Sequence, residues 1–189
     1  MKGINIMVVG VGGQGTLLTS RIIGKTALKN GYDVKMSEVH GMAQRGGSVV
    51  TFVRFGNKVN EPIVEEGNVD LLISFERLEA LRYSHFLKKD GIIVLNDCKI
   101  EPMTVVVETA TYPDNIIDKL TAKHKVYVVD GVSVAKELGN DKVLNSVVLG
   151  CAAKQIGLNK EDFLEVIKNT VPQKTIQINV DAFLRGYGD

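Results

Sequence analysis

The chain has 189 residues, 44% of them hydrophobic and 24% charged, with 23 basic against 22 acidic side chains and a formal net charge of +1. That is long enough for one domain with its own core and no disulfide staples, and the composition excludes a disordered chain, a collagen or a disulfide scaffold. A near-zero charge, no Trp and 6% aromatics leave neither a basic footprint nor stacking platforms for nucleic acid, and no bulk attraction to an acidic membrane.

Residues 4–9 (INIMVV) form a short apolar run ending in glycine, the pattern of a strand buried on both faces. The glycine-rich segment 10–15 (GVGGQG) leads into 16–28, where Leu17, Leu18, Ile22, Ile23 and Ala27 recur at helical spacing and Gly31 stands where a left-handed cap is wanted. Residues 33–37 predict a second strand, completing a strand–helix–strand unit, and 38–47 (EVHGMAQRGG) read as a loop. Residues 48–55 alternate, with Val49, Thr51, Val53 and Phe55 on one side and Ser48, Val50, Phe52 and Arg54 on the other; this predicts a strand paired with a neighbour near 58–64. A buried strand at 70–74, a helix at 76–87 with Leu78, Leu81 and Leu87 inward, a turn at 88–91 and a strand at 92–95 follow. A short strand at 104–107 after Pro102, a helix at 112–120 begun by Pro113, a last strand at 126–129 and a short helix after Gly131 complete the alternation.

From about residue 141 to 189 the chain turns helical. Leu144, Val147, Val148, Cys151 and Ala152 make one apolar stripe. Asn159 caps a helix carrying Phe163, Leu164, Val166 and Ile167, and Pro172 stops it. The tail, 173–189, is polar with isolated apolar residues and is expected to lie along the core or along a partner. The expectation is one domain over 1–189 of α/β class: Rossmann-like, a mostly parallel sheet with helices on both faces and a short antiparallel insertion within 48–64. No apolar stretch approaches the roughly 18 residues of a membrane span. The N-terminus enters the glycine loop without a cleavage site, so a cytoplasmic location is expected.

Gly10, Gly12 and Gly15 satisfy G-x-G-x-x-G between a strand and a helix, with Gly13 and Gln14 inside the motif. Bare backbone there lets N–H groups approach a phosphate, and the helix N-terminus adds partial positive charge. Glu38, at the end of the second strand, stands where an NAD site would hold ribose hydroxyls. The plainer reading of the same glycines is a tight strand–helix turn. The second loop gathers His40, Gln44, Arg45, Gly46 and Gly47 at the carboxyl end of a strand, where open α/β sheets carry their ligand crevice. Arg45 is a fork for a carboxylate or phosphate; the alternative is a solvated loop with a surface Arg and a structural His40. Asp97 and Cys98 follow a strand for turn reasons, and His85 and His124 read as surface residues. No Ser–His–Asp or Cys–His set and no glycine–lysine–serine phosphate loop is present, so no catalytic residue is assigned to this chain and an ATPase is disfavoured. Two distant cysteines, Cys98 and Cys151, are too few for a zinc or iron–sulfur site and read as buried free thiols; no metal site is assigned.

Taken in order, 10–15 (GVGGQG), 37–47 (SEVHGMAQRGG), the SVVTFVRFG strand and 145–150 (NSVVLG) resemble the gamma-type domain of the 2-oxoacid:ferredoxin oxidoreductases over essentially the whole chain. The wording of the second loop is most similar to the small (beta) subunits of the indolepyruvate branch. The resemblance implies a subunit of a heterodimeric enzyme of aromatic amino acid catabolism. Its reaction is oxidative decarboxylation of an aryl-2-oxoacid with coenzyme A, giving aryl-acetyl-CoA, carbon dioxide and reduced ferredoxin. It further implies that thiamine diphosphate and the iron–sulfur clusters sit on a large alpha partner, with ferredoxin as acceptor, and that this chain binds no cofactor and is inactive alone. The two loops would then seat the CoA pyrophosphate or the substrate carboxylate, with Arg45 as charge partner and Gln14 and Gln44 as hydrogen-bonding aids. The rivals are a gamma subunit of a pyruvate or 2-oxoglutarate enzyme, a stand-alone NAD-binding regulatory module, and an interaction scaffold on a vestigial dinucleotide fold.

Overall fold

The computed structural model describes residues 3–40 and 46–188. Strand β1 (Ile4–Val11) lies inside a six-stranded mixed sheet. The other strands are β2 (Asp33–His40), β3 (Ser48–Gly56), β4 (Val69–Ser74), β5 (Leu87–Asn96) and β6 (Lys125–Val129), in the spatial order β2-β3-β1-β4-β5-β6. β1, β4, β5 and β6 run parallel, while β3 is antiparallel to both β1 and β2. The α/β class, the antiparallel insertion and the helices on both faces are therefore as expected. The partner of β3 is not. Residues 58–64 form no strand, because both edges of β3 are already taken, by β1 (Val11↔Ser48) and by β2 (His40↔Val49).

The period-2 alternation decides the two faces. Ile6, Val8, Val53, Phe55, Leu71, Ile73 and Val94 face a layer containing α1 (Thr16–Lys29), α6 (Leu144–Ile156), α7 (Lys160–Lys168) and α8 (Ile176–Tyr187). Met7, Val9, Val50, Phe52, Leu72, Ile93 and Leu95 face α2 (Arg77–Tyr83) and α4 (Ile116–Thr121). A shorter helix, α5 (Gly131–Glu137), closes the edge beside α6.

Several local expectations are corrected. β2 continues to His40, so Glu38 lies in a strand. The helix expected at 76–87 ends at Tyr83 and continues only as a 3-10 turn, Ser84–Phe86. Residues 88–91 belong to β5, drawn into the sheet by the pairing of Leu87 with Val69. Residues 104–107 do not form a strand: α3 (Met103–Val106) is a single helical turn begun after Pro102. α4 starts later than expected, after Asn115, which holds φ 54°. The tail is not merely polar. Ile176, Val180, Phe183, Leu184 and Tyr187 recur at helical spacing, and α8 packs that stripe into the core. The half-buried Cys98 and Cys151 are free thiols, and burial raises both above the ordinary thiol range. Among the described residues no helix is long and apolar enough to cross a membrane.

α6 and α8 approach so closely that side chains are excluded from the contact. A Cβ on Gly150 would lie 2.1 Å from the Phe183 carbonyl oxygen, and one on Gly186 would lie 1.9 Å from that of Val147. Ser146 Oγ donates to Asn179 Oδ1 at 2.7 Å inside the same contact. Because the obstructing atoms are backbone, no rotamer change relieves the clash. Gly150→Ala is expected to destabilise the chain by about 3 kcal/mol, the upper range for overpacking. It should be read as a fall in the urea midpoint at unchanged slope; an unchanged midpoint would mean the helices separate freely.

Candidate functional site

The carboxyl ends of β1 and β4 are the point where the chain reverses its winding. The helix after β1 covers one face of the sheet and the helix after β4 covers the other. Such switch points open the ligand crevice of α/β sheets. Here the crevice is bridged by protein. Gln14 Oε1 accepts from the Val11 N–H at 2.7 Å, and Gln14 Nε2 donates to the Phe75 carbonyl at 3.0 Å. The same carbonyl accepts from Asn96 Nδ2 at 3.1 Å, and Asn96 Oδ1 accepts from the Gly131 N–H at 3.1 Å. Two side-chain amides thus tie together the ends of β1, β4, β5 and β6. Gln14, expected as a ligand-binding aid, has its amide engaged within the fold.

Space for a ligand opens to one side of this bridge. A cleft of about 310 Å³ is lined by Gly12, Gly13, Gly15, Thr16, Leu17, Glu38, His40 and Val49. The glycine loop and the end of β2 therefore line the same cleft, and the Gly12 N–H donates to the Gly47 carbonyl at 2.8 Å, joining the first loop to the end of the second. Gly10 lies beneath, against Gln14 and Phe75. Gly46, at φ 78°, and Gly47 lead into β3. Gln44 and Arg45 lie outside the described residues.

α1 begins in a way that favours an anion. Its N-cap is Gly15, at φ 85° and ψ 20°; no side chain caps it, and its first turn has no acidic residue. Ser, Thr, Asp and Asn are the usual caps because their oxygens satisfy the first N–H groups. Among the described residues, the N–H groups of Gly13, Gly15, Thr16 and Leu17 have no acceptor. Open donors at the positive end of a 14-residue helix form a ready seat for an oxyanion. Glu38 lines the far wall, its Oε2 3.5 Å from Thr51 Oγ1.

Sequence reasoning missed a buried polar network on the other side of the switch point. Glu76 is 1% exposed. It caps α2 by accepting from the Glu79 N–H at 2.9 Å, and it also accepts from Tyr112 Oη at 2.5 Å and from the Ile100 N–H at 3.2 Å. Burial and the Glu76 carboxylate raise the Tyr112 phenol. Glu79 accepts from Ser48 Oγ and pairs with Arg82 at 3.2 Å, yet burial still raises it above the ordinary carboxylate range. The one signal in the sequence was the acid just before a helical stripe, the position of an N-cap. A cleft of about 430 Å³ nearby contains Arg77 and Lys99, but Arg77 is paired with Asp97 and Lys99 with Glu101. Asp97 is thus an ion-pair partner. His85 lies at the surface beside Glu66, and burial lowers His124, whose Nδ1 is buried. Among the described residues no three His, Cys, Asp or Glu are grouped to hold a metal.

Two consequences are measurable. Asn96→Leu orphans the buried Gly131 N–H and removes one of the two donors to Phe75, which should cost about 2 kcal/mol in chemical denaturation. Glu79 is raised in the folded state above the roughly 4.3 of a free Glu, so the fold holds its proton more tightly than the unfolded chain does. Its contribution to stability is therefore complete below about pH 4 and is lost as pH rises through the folded value. Glu79→Gln keeps an acceptor for Ser48 without the charge. Its melting temperature relative to wild type should climb between about pH 4 and 7; a flat difference would mean burial does not govern this acid.

Against this geometry the comparisons with known proteins are consistent. The family model for pyruvate ferredoxin/flavodoxin oxidoreductase matches residues 5–188. The chain is 42% identical to a Thermococcus kodakarensis protein named indolepyruvate oxidoreductase subunit IorB, over 98% of this chain and 95% of the relative. It shares its fold, with a TM-score of 0.76 and 23% identity, with the pyruvate oxidoreductase subunit PORC of Thermotoga maritima, covering 100% of this chain and 97% of that one. It also superposes, at TM-score 0.75 and 18% identity, on the 2-oxoglutarate:ferredoxin oxidoreductase of Magnetococcus marinus, a structure with 2-oxoglutarate, coenzyme A and succinyl-CoA bound; there 99% of this chain matches 31% of the longer polypeptide. The chain belongs to the pyruvate ferredoxin/flavodoxin oxidoreductase family.

Proposed function

We infer that the chain is the small subunit of an indolepyruvate ferredoxin oxidoreductase, acting in the cytoplasm with a larger alpha subunit. The observation that carries this reading is the 42% identity, along nearly the full length of both chains, to a subunit named for indolepyruvate, against 23% to one named for pyruvate. The complex would convert an aryl-2-oxoacid and CoA to aryl-acetyl-CoA and carbon dioxide and pass the electrons to ferredoxin. Thiamine diphosphate and iron–sulfur clusters on the partner would supply the carbanion and redox chemistry, since Cys98 and Cys151 cannot ligate a cluster between them.

This chain's own part is to receive an anion. Gly12, Gly13, Gly15 and the start of α1 would seat the CoA pyrophosphate, with His40 on the opposite wall. Arg45 and Gln44, in the loop joining β2 to β3, would supply the fixed charge and a hydrogen bond. The site faces outward, and Met103, Val106 and Val107 expose an apolar surface of the kind a subunit covers on assembly. A stand-alone NAD module fits less well. Its fingerprint needs the acidic strand beside β1. Here β3 intervenes, so Glu38 stands two strand spacings away, about 10 Å.

The test is reconstitution with a large subunit and arylpyruvate-dependent dye reduction. The rate should require this chain and should fall at least tenfold with pyruvate or 2-oxoglutarate. Leu17→Glu adds a carboxylate at the mouth of the cleft while favouring the helix. It should raise the apparent KM for CoA about tenfold, the equivalent of roughly 1.4 kcal/mol, and Arg45→Ala should raise it several-fold. A reconstituted enzyme whose KM for CoA ignores both changes would remove the glycine loop from the reaction.

A further inference from the structure

The connection from β5 to α4, residues 97–115, carries an apolar surface that the chain itself leaves uncovered. Met103, Val106 and Val107, on and just after the single turn of α3, are 71%, 59% and 56% exposed. None of them joins a core cluster. The turn is nevertheless tied down. The Pro102 carbonyl accepts from the N–H groups of Val105 and Val106 at 2.9 and 3.1 Å, and the Thr104 carbonyl from those of Thr109 and Ala110 at 2.9 and 3.0 Å. Both ends reach one buried carboxylate: Glu76 accepts from the Ile100 N–H at 3.2 Å and from Tyr112 Oη at 2.5 Å. Among the described residues two non-glycines hold positive φ, Glu108 at 58° and Asn115 at 54°, and both lie in this connection. Left-handed backbone at a residue with a Cβ is held against its own preference. A segment fixed in this way has its shape before a partner arrives, which lowers the ordering cost of binding.

The charge of the segment says what kind of surface would cover it. Residues 100–118 contain four acids and no Lys, Arg or His. Glu101 is paired with Lys99 at 2.8 Å, while Glu108, Asp114 and Asp118 have no ion-pair partner among the described residues. An apolar turn with an acidic margin suits a socket edged by Lys or Arg. It does not suit a second copy of itself, because a two-fold contact centred on the turn brings the same acids together from both copies. A stable interface takes roughly 800 Å² from each partner, more than one helical turn offers, so the turn is one anchor within a wider contact. Its position indicates which contact. β5 runs parallel to β1 with β4 between them, so the connection leaves the same edge of the sheet as the glycine loop, two strand spacings or about 10 Å along. A protein seated on the turn would therefore border the cleft.

We propose that residues 100–112 dock the large subunit, with Met103, Val106 and Val107 filling an apolar socket that has a basic rim. The inference rests on the reading of this chain as a subunit and names the surface by which it is held. The experiment titrates the full chain against the large subunit. Met103→Asp and Val107→Asp should each raise the dissociation constant at least tenfold, the scale of a buried anchor. Neither should change the melting temperature of the free chain, because both side chains lie outside the core. Ile63→Asp, at an apolar side chain 56% exposed on another connection, should bind as wild type does. Glu108→Lys should weaken assembly several-fold, and the difference from wild type should shrink as salt is added. In wild type, peroxide should oxidise the Met103 thioether in the free chain and spare it in the complex, a readout that needs no variant. Asp variants that bind as wild type does, or a Met103 that stays equally reactive in the complex, place the turn outside the interface and overturn the proposal while the subunit reading stands. A wild-type chain that does not bind the large subunit ends that reading and the proposal with it. Self-association of the free chain that Met103→Asp abolishes, with binding to the large subunit unchanged, makes a second copy the occupant and overturns the proposal as well.

Discussion

The carbonyl of Phe75 is the point on which the working edge of this molecule depends. It emerges at the end of β4, where the chain changes the face it winds over, and it accepts from two side-chain amides at once, Gln14 and Asn96. Through Val11 and Gly131 those amides reach the strands on either side. A carbonyl has two lone pairs, and both are used within the protein. The place where many α/β sheets admit a ligand is therefore closed by the chain's own polar groups. The unsatisfied backbone donors are left to one side, at the start of α1.

The second constraint is the antiparallel strand. Inserting β3 between β1 and β2 keeps the hydrophobic alternation on both faces, with Val53 and Phe55 on one and Val50 and Phe52 on the other. It also moves β2 to the sheet edge. The cleft beside the glycine loop is consequently floored by β3, through Val49, and walled by Glu38 and His40. A dinucleotide fingerprint in the sequence thus occurs in a fold whose strand order has changed what the fingerprint can address.

Stability and function pull against each other at this edge. A side-chain cap on α1 would strengthen the fold. Gly15 provides no cap. Three other helices are capped by a side chain, Glu76 on α2, Asp130 on α5 and Asn159 on α7. At the start of α1 the donors left open in the free chain are the ones a bound group would meet. Sites of this kind are where local rules of stability are expected to be broken.

What the sequence determined by itself lies within a turn or two of chain. The buried run before Gly10, the stripe of α1 ending at Gly31, the cap at Asn159 and the stripe of α6 were all readable, because periodicity and turn chemistry act between near neighbours. The stripe of α8 was equally local and was obscured only by the polar residues between its members. Tertiary structure decided the rest. The β-branched run Thr104–Val107 favours a strand, but it is offered no strand to pair with and winds as a helical turn instead. Lys88 and Lys89 read as turn residues and become strand because β4 pairs alongside. That Gln14 meets Phe75, that Asn96 meets Gly131 and that Asn145 fills the space at Gly15 depends on which strands become neighbours and which face each helix covers. Those choices are made by burial summed over the whole chain, and no short stretch of it contains them.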